Sequence, residues 1–424
     1  MTAENYDVII VGTGPAGLGA AYELIEAGPS LKVLMVDQGA ISSGGLLNDC
    51  KQNYTFPIGF APEYWEKNEA ETLLEKVGQH LKPEILPTCH LEPYRERAER
   101  IGVEIVPVRQ AHVGTDRSKK LIRRLLAGLE DLGVVIRIRT EVTEIRETEK
   151  DAVIVAGDRE IRSGKLIVAP GRKGFSFLQG VMEKLEIPYI DNSVDVGIRL
   201  ETTQERYPIV AEYYDPKIYF PDKVRTFCTN SGHARVILEK YQDYYLVNGH
   251  ALSSRKAGNR LVNLALLKTI HLEDPVRSGQ QMAVFLGRLA NEIGGGRPLM
   301  QRVGDFRMGR RSKEENFSRD LYDFEPSCRV TAGDLGLAVP AKIMRHLWAA
   351  MKKLDSIVPG ILHPSTIMYY PEIKMYANKP RFLDDSFRVS RHLYMIGDGA
   401  GTSRGITGAW ASGIRAARGI LAGL

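Results

Sequence analysis

The hydrophobic pattern of the first forty residues contains two short apolar runs separated by one helical segment. Tyr6–Val11 is almost continuously apolar and β-branched, which predicts a strand buried on both faces. Leu18–Ala27 places apolar residues and alanines at helical spacing, and Gly28 follows it. Leu31–Asp37 is a second apolar run that ends on a carboxylate. The order strand, helix, strand predicts a βαβ unit.

The turn between the first strand and the helix has the pattern G-x-G-x-x-G. Gly12 allows the tight turn, Gly14 lets the backbone approach a pyrophosphate, and Gly17 lets the helix pack closely on the strand. The start of the helix offers N–H groups to phosphates. Asp37, 20 residues after Gly17, would accept hydrogen bonds from both ribose hydroxyls and repel a 2′-phosphate. This order of elements predicts dinucleotide binding, and an ordinary βαβ unit with a glycine-rich turn is the alternative.

Two further segments resemble parts of flavoproteins. Gln38–Gly45, which ends on a glycine pair, resembles the loop that passes under the pyrophosphate and the ribityl chain, and a plain surface turn is the alternative. The strand Leu393–Ile396 leads into Gly397–Gly401 and then a helix rich in small residues. The likeness implies that Asp398 binds a ribityl hydroxyl and that the helix N-terminus faces the pyrimidine edge of the flavin. NAD-only dehydrogenases do not need this second element, so the pattern favours FAD.

A third segment, Lys165–Arg172, resembles the strand and glycine turn by which FAD-binding domains return to the cofactor. Short apolar runs between residues 134 and 157 predict the β-meander that precedes this strand. The predicted FAD contacts are Gly12, Gly14, Pro15, Ala16, Gly17, Asp37, Gln38, Ser43, Gly44, Gly45, Val142, Ala169, Pro170, Gly171, Gly397, Asp398, Gly405 and Ile406.

The whole chain resembles the poorly characterised FAD-dependent dehydrogenases that have one dinucleotide-binding domain of the glutathione-reductase type. The likeness also rests on 111–116, 196–201, 301–306 and 333–340. It implies an α/β fold in which a Rossmann-like FAD-binding domain (residues 1–200 and 386–424) is interrupted by an α+β substrate or cap domain (201–385). It further implies flavin redox chemistry. The turn after Gly171 reads Arg172-Lys173-Gly174, whereas many members have a turn that contains His and Ser.

The middle of the chain is the predicted substrate region. Successive strands are expected between 213 and 251, with helices over Val262–Leu267, Gly279–Glu292 and Pro340–Leu354. Tyr370 and Glu372 are the candidates for proton handling, and Arg172 is a candidate for contacting cofactor or substrate. Further candidates, each with a structural alternative, are Cys50, His112, His250, Arg302, Asp305, Tyr369 and Lys374. For Arg302, the alternatives are a buried ion pair with Asp305 and the binding of an anionic substrate.

We therefore expect an FAD-dependent oxidoreductase that transfers a hydride between a small organic substrate and non-covalently bound FAD, as a dehydrogenase or as a reductase of an unsaturated bond. The sequence contains no second strand–G-x-G-x-x-G–helix unit. Reducing equivalents are therefore expected from the substrate, from a protein partner or from transiently bound nicotinamide. A weaker alternative is a reductase of isoprenoid lipids or quinones, for which the sequence offers no amphipathic anchor.

The net charge of the chain is compatible with a macromolecular partner but does not require one. The 57 basic and 52 acidic residues give a net charge of +5, and basic residues concentrate at 117–124 and 307–313. Solvated charge is the usual reason for such segments. The alternative is an FAD-containing protein that acts with a macromolecule, as in tRNA modification.

Cysteine spacing and hydropathy indicate the expected location of the protein in the cell. The four cysteines, at 50, 89, 228 and 328, form no C-x-x-C pattern, so no metal site is predicted. Such thiols suit a reducing cytoplasm. The opening residues resemble no secretory signal, and no apolar stretch of about 18 residues predicts a membrane span.

Overall fold

The computed structural model describes residues 4–40, 44–47, 49–241, 243–252, 258–270, 278–318, 321–376 and 378–424. In chain order, the strands are β1 (Glu4–Val11), β2 (Val33–Val36), β3 (Lys51–Asn53), β4 (Ile85–Leu86), β5 (Glu104–Val106), β6 (Gln110–His112), β7 (Val135–Arg137), β8 (Glu144–Glu147), β9 (Ala152–Ala156), β10 (Arg159–Val168), β11 (Tyr189–Ile190), β12 (Val194–Thr203), β13 (Lys217–Phe220), β14 (Val224–Asn230), β15 (His233–Tyr241), β16 (Tyr244–Leu252), β17 (Leu261–Ile270), β18 (Leu299–Arg302), β19 (Thr331–Ala332), β20 (Ile367–Met375), β21 (Lys379–Pro380) and β22 (Leu393–Met395). The α-helices are α1 (Pro15–Ala27), α2 (Lys67–Leu81), α3 (Glu92–Glu99), α4 (Thr115–Asp131), α5 (Phe175–Lys184), α6 (Ile209–Glu212), α7 (Gly279–Ile293), α8 (Val303–Arg307), α9 (Ala341–Ile357) and α10 (Ile406–Leu421).

These elements form two units that interleave along the sequence. The first unit contains residues 1–85, 110–192 and 376–424, and the second contains 86–109 and 193–375. The boundaries expected near 200 and 385 lie close to two of these divisions. Residues 86–109, which the sequence-based division included in the FAD-binding domain, belong to the second unit.

The first unit is built on a mixed seven-stranded sheet in the order β7-β2-β1-β10-β9-β8, with β22 also paired to β10. Strands β7, β2, β1, β10 and β22 run parallel, whereas β8, β9 and β10 form an antiparallel meander. This is the α/β Rossmann-like architecture that the sequence predicted, including the meander before the returning strand.

Both faces of this sheet are covered, which explains the continuous apolar run of β1. Val8 and Ile10 pack into one cluster with residues of α1, α2, α4 and α10. Ile9 and Val11 point to the other face and pack with the meander and α5. Alternate residues of a strand face opposite sides, so a strand buried on both sides must be apolar throughout.

The second unit contains an eight-stranded sheet in the order β19-β18-β20-β12-β17-β14-β13-β5, and β15 and β16 form a separate hairpin. All neighbours in the eight-stranded sheet are antiparallel except β18 and β19. Every residue of the central strand β12 is buried. Helices α7 and α9 begin and end close to their predicted limits.

One predicted helix is wrong. Val262–Leu267 lies inside β17, which pairs with β12 along ten residues. The segment is buried from Leu261 to Leu267. A short run that is apolar except for Asn263 carries too little periodicity to separate a buried strand from a buried helix. Among the described residues, no helix is long and apolar enough to cross a membrane.

Candidate functional site

The parallel strands of the first unit end together at one edge of the sheet. Val11 at the end of β1 is in register with Val36 of β2 and with Val168 of β10. Val168 is in turn in register with Met395 of β22. The turns that follow these strands contain most of the predicted cofactor residues. Four segments that are far apart in sequence therefore meet where parallel α/β sheets bind their ligands.

The glycine turn after β1 has the close approaches that its motif requires. Gly12 has φ +108°, and a Cβ atom there would lie 2.2 Å from the carbonyl oxygen of Ala169. A Cβ on Gly17 would lie 1.9 Å from the carbonyl oxygen of Gly12, so only glycine lets α1 pack against this turn. Gly14 is the N-cap of α1 and provides no side-chain cap. The N–H groups of the first helical turn thus suit a phosphate.

Asp37 connects the end of β2 to this turn. Its Oδ2 accepts hydrogen bonds from the amide of Thr13 at 2.8 Å and from the Thr13 hydroxyl at 2.7 Å. Its Oδ1 accepts one from the amide of Gly39 at 2.7 Å. A carboxylate has about four acceptor positions, so these three donors leave capacity for a ribose hydroxyl. The contribution of Thr13 was not predicted, although the residue lies inside the glycine motif.

The chain between β7 and β8 runs beside Asp37. The amides of residues 139 and 140 donate to the carbonyls of Gly39 and Asp37 at 2.9 and 2.8 Å. Val142 is 7% exposed and packs in the apolar cluster on the meander side of the sheet. Gln38 is exposed. Two predicted contact residues, Gln38 and Val142, therefore flank the acidic end of β2.

The second predicted glycine loop lies against the start of α10. Gly44–Leu46 forms a short 3₁₀ turn, and a Cβ atom on Gly45 would lie 3.0 Å from Cγ1 of Ile406. Ser43, the other predicted residue of this loop, lies outside the described residues. Two predicted segments from opposite ends of the chain thus adjoin in the first unit.

The turns after β10 and β22 also touch. Gly171 has φ +63° and Gly397 has φ +81°. A Cβ on Gly399 would lie 2.7 Å from the carbonyl oxygen of Gly171, and one on Gly397 would lie 3.0 Å from the Cβ of Ala16. The returning strand, the C-terminal motif and the first turn of α1 therefore share one location, and Pro15 and Pro170 belong to the same turns.

Asp398 fastens the C-terminal motif to α10. Its carboxylate accepts hydrogen bonds from the Ser403 hydroxyl at 2.9 Å and from the amide of Gly405, the N-cap of α10, at 3.0 Å. Nε of Arg172 lies 3.8 Å from Oδ2. Burial raises the pKa of Asp398 above its ordinary value, and Arg172 and the two donors oppose that rise. The predicted residues Asp398, Gly405 and Arg172 thus form one connected group.

The other two predicted catalytic residues lie on β20 in the second unit. Glu372 is fully buried. Its carboxylate accepts hydrogen bonds from Nε and Nη2 of Arg199 at 2.8 and 2.9 Å, and it forms an ion pair with Nζ of Lys374 at 2.8 Å. Burial by itself would raise the pKa of Glu372, but the two cations hold it below its ordinary value. Tyr370 is also buried, its hydroxyl has no hydrogen-bond partner among the described residues, and burial raises its pKa. Their catalytic roles stay predictions.

Two further candidates have structural partners that the sequence did not indicate. Arg302 does not pair with Asp305. Its guanidinium instead donates to the backbone carbonyls of Asn316, Ser365 and Phe324. The carboxylate of Asp305 bonds to neighbours within its own segment, Arg310 and Ser312. Of the two alternatives for Arg302, the ion pair with Asp305 is therefore wrong, and the binding of an anionic substrate stays a prediction.

In the first unit, His112 and Cys50 lie in or beside the β3–β6 pair. Nε2 of His112 is 2.7 Å from Oδ1 of the buried Asp49. Burial raises the pKa of the Cys50 thiol to about 12, which makes this cysteine a poor nucleophile. None of the four cysteines forms a disulfide.

The residues at this edge fit FAD. The starts of α1 and α10 both lack a side-chain cap within the described chain, and the motif glycines leave room for a close approach to the backbone. The carboxylates of Asp37 and Asp398 would be available as acceptors for sugar and ribityl hydroxyls. A single mononucleotide would not require both the start of α1 with Asp37 and the start of α10 with Asp398. The first unit therefore has a Rossmann-like fold with a sheet edge that fits FAD.

Comparisons with known proteins give one family match over the first part of the chain and several solved structures at low sequence identity. A model of the Thi4 family matches residues 1–57, which contain the βαβ unit. No curated protein matches the chain.

Similar solved structures include p-nitrophenol 4-monooxygenase PnpA from Pseudomonas putida DLL-E4, at 11% identity over 99% of this chain and 80% of that one, with a TM-score of 0.43. CtdE in complex with FAD has 13% identity over 99% and 88% of the two chains, with a TM-score of 0.37. The Diels-Alderase PyrE3 of pyrroindomycin biosynthesis has 13% identity over 95% of this chain, with a TM-score of 0.39, and the chain spans 60% of its length. At this distance, the reaction of a neighbour does not transfer to this chain.

Proposed function

We propose that the protein is an FAD-dependent oxidoreductase that transfers a hydride between a small organic substrate and non-covalently bound FAD. The supporting observation is the convergence of the glycine turn after β1, Asp37, the Gly44–Leu46 loop and the Asp398 group at one edge of one sheet. When bound, FAD supplies the ring that accepts or donates the hydride. The chain supplies the binding groups that orient it.

Each group has a distinct task in this proposal. The backbone at the start of α1 binds the pyrophosphate, Asp37 binds the adenosine ribose, and Asp398 binds the ribityl chain. The partial positive charge at the N-terminus of α10 stabilises negative charge on the reduced flavin. Arg172 has the strongest support among the predicted catalytic residues, because it contacts Asp398. Tyr370 keeps its proton-handling role as a proposal, whereas the ion pairs of Glu372 favour a structural anchor.

The cofactor is tested directly on purified protein. We expect a yellow protein with flavin absorbance and one FAD per chain. Gly14→Glu should remove the flavin, because its side chain would fill the pyrophosphate position with a negative charge. Gly180→Glu is the matched control, because Gly180 is exposed on α5 and a Cβ there meets no atom within 4 Å. A colourless protein that FAD cannot reconstitute would contradict the proposal.

The reaction is tested by flavin bleaching. Under anaerobic conditions, a library of metabolites and reduced nicotinamides should contain a compound that reduces the bound flavin, or one that reoxidises the reduced protein. The first outcome identifies a dehydrogenase substrate or an electron donor, and the second identifies a reductase substrate. If no compound changes the redox state of the flavin, the small-molecule reaction loses its support.

A second candidate function is action on a macromolecule such as tRNA. Its support is a set of exposed basic residues on one helix of the first unit, α4, namely Arg117, Lys119, Lys120, Arg123 and Arg124. Phosphate contacts by such residues make binding strongly salt-dependent. A gel shift with tRNA that disappears at high salt would favour this candidate, and the absence of a shift at low salt would eliminate it.

A further inference from the structure

Three side chains of metal-ligating type converge on the surface of the second unit. Cys89 and His90 lie in the segment before α3, and Glu212 is the last residue of α6. Their ligand atoms, Sγ, Nδ1 and a carboxylate oxygen, all lie within 4.8 Å of one another. Glu212 is 123 positions away from Cys89 in the sequence, which is why no spacing motif reveals the group.

The backbone brings these side chains together. The amide of Cys89 donates to the carbonyl oxygen of Glu212 at 3.0 Å, and Thr88 and Tyr213 form an antiparallel bridge next to it. Consecutive side chains of an extended strand point to opposite sides. The left-handed backbone of His90, with φ +46°, breaks this alternation. Both side chains consequently reach the same carboxylate.

The distances already approach those of a coordinated metal. Oε2 of Glu212 is 3.1 Å from Sγ of Cys89 and 2.9 Å from Nδ1 of His90. Zinc bonds of about 2.0–2.3 Å in a tetrahedron place ligand atoms roughly 3–4 Å apart. The side chain of His90 is 81% exposed, so the metal has an entry path and water can take the fourth position.

We propose that Cys89, His90 and Glu212 form a zinc site with three protein ligands and one open position. A thiolate, an imidazole and a carboxylate suit zinc, whereas magnesium and calcium prefer oxygen ligands. The Cys89 thiol now donates its proton to Glu212. Zinc replaces that proton, so that a zinc–sulfur bond forms, a sulfur–hydrogen bond breaks and the proton leaves to the buffer. The metal would join the segment before α3 to the end of α6.

The test uses the full-length protein, treated with a chelator, and calorimetric titration with zinc chloride in two buffers of different ionisation enthalpy. We expect one zinc per chain and release of the thiol proton. Cys89→Ser should abolish that release and lower the affinity at least about tenfold, and His90→Gln and Glu212→Gln should also weaken binding. Zinc should also slow the reaction of one exposed thiol with a disulfide reagent.

The controls separate this site from adventitious binding. Cys328→Ser removes another thiol of the same unit and should leave zinc affinity unchanged, and magnesium chloride should produce no binding heat. Circular dichroism and flavin absorbance check that each variant is folded. Zinc affinity that is the same in Cys89→Ser and in the unsubstituted protein, or binding well below one equivalent, would overturn the proposal. Neither outcome depends on the flavin reaction.

Discussion

Asp37 is the side chain that links the end of β2 to the glycine turn after β1. It accepts hydrogen bonds from both polar groups of Thr13 and from the amide of Gly39, and we assign it the ribose. Hydrogen bonds to a charged group contribute about 1.5–3 kcal/mol, so Asp37→Ala should weaken FAD binding by at least about tenfold. Fluorescence quenching during reconstitution measures this affinity. Asp158→Ala, at an exposed turn of the same unit, is the control, and equal affinities would contradict the assignment.

A structural role and a catalytic role of Glu372 predict different results when this residue is replaced. Its carboxylate neutralises Arg199 and Lys374, and all three side chains are buried. Removing one partner of a buried ion pair costs about 3–5 kcal/mol. We therefore expect Glu372→Gln to lower the free energy of unfolding by about that amount in a urea titration followed by circular dichroism. Glu315→Gln, at an exposed site of the same unit, should have little effect.

The two outcomes for Glu372→Gln decide its role. A clear loss of stability with the flavin reaction retained supports the anchor. A variant of unchanged stability that no longer reduces its flavin would instead establish the proton-handling role that the sequence suggested.

Helices α1 and α10 pack against each other and thereby join the glycine turn before α1 to the C-terminal motif before α10. A Cβ on Gly413 would lie 2.0 Å from the carbonyl oxygen of Ala16, and one on Gly19 would lie 2.3 Å from that of Trp410. Gly413→Ala should therefore separate the helices, lower the free energy of unfolding by about 1–3 kcal/mol and weaken FAD retention. In Gly180→Ala, the new methyl group has open space, and alanine should be neutral or stabilising there. Thermal unfolding of both variants tests the packing, and equal stabilities would contradict it.

Local signals predicted the elements of the first unit better than those of the second. The motif glycines, Asp37 and the small residues of α10 each imply a backbone requirement, and the structure brings these segments to one edge. The β17 segment has no such signal, because burial on both faces removes its periodicity. Likewise, nothing local could show that Glu372 meets Arg199, 173 positions earlier. Partners across a sheet depend on strand order, which a single sequence does not contain.

At the scale of the whole molecule, the chain passes between its two units four times, at 85/86, 109/110, 192/193 and 375/376. The sequence suggested the last two of these divisions but not the first two. Residues 86–109 belong to the second unit through pairings such as that of β5 with β13. The strand is three residues long, and a strand this short has too few positions to reveal its partner. A fold assembled from interleaved segments should respond to a ligand at several distant points of the sequence.

FAD binding provides the test of this interleaving. Hydrogen exchange, compared between the FAD-depleted and the reconstituted protein, should slow in peptides that contain 12–17, 44–46, 169–171 and 397–406, because a bound dinucleotide orders the turns at the sheet edge. Gly14→Glu with added FAD should show none of this protection. The peptide that contains 397–406 is decisive, because the glycine turn after β1 would also be protected by a nicotinamide dinucleotide. Protection at 12–17 without protection at 397–406 would mean that the turn after β1 holds the ADP half of FAD while the C-terminal motif does not hold the flavin half, which would contradict the proposed placement of the flavin for hydride transfer.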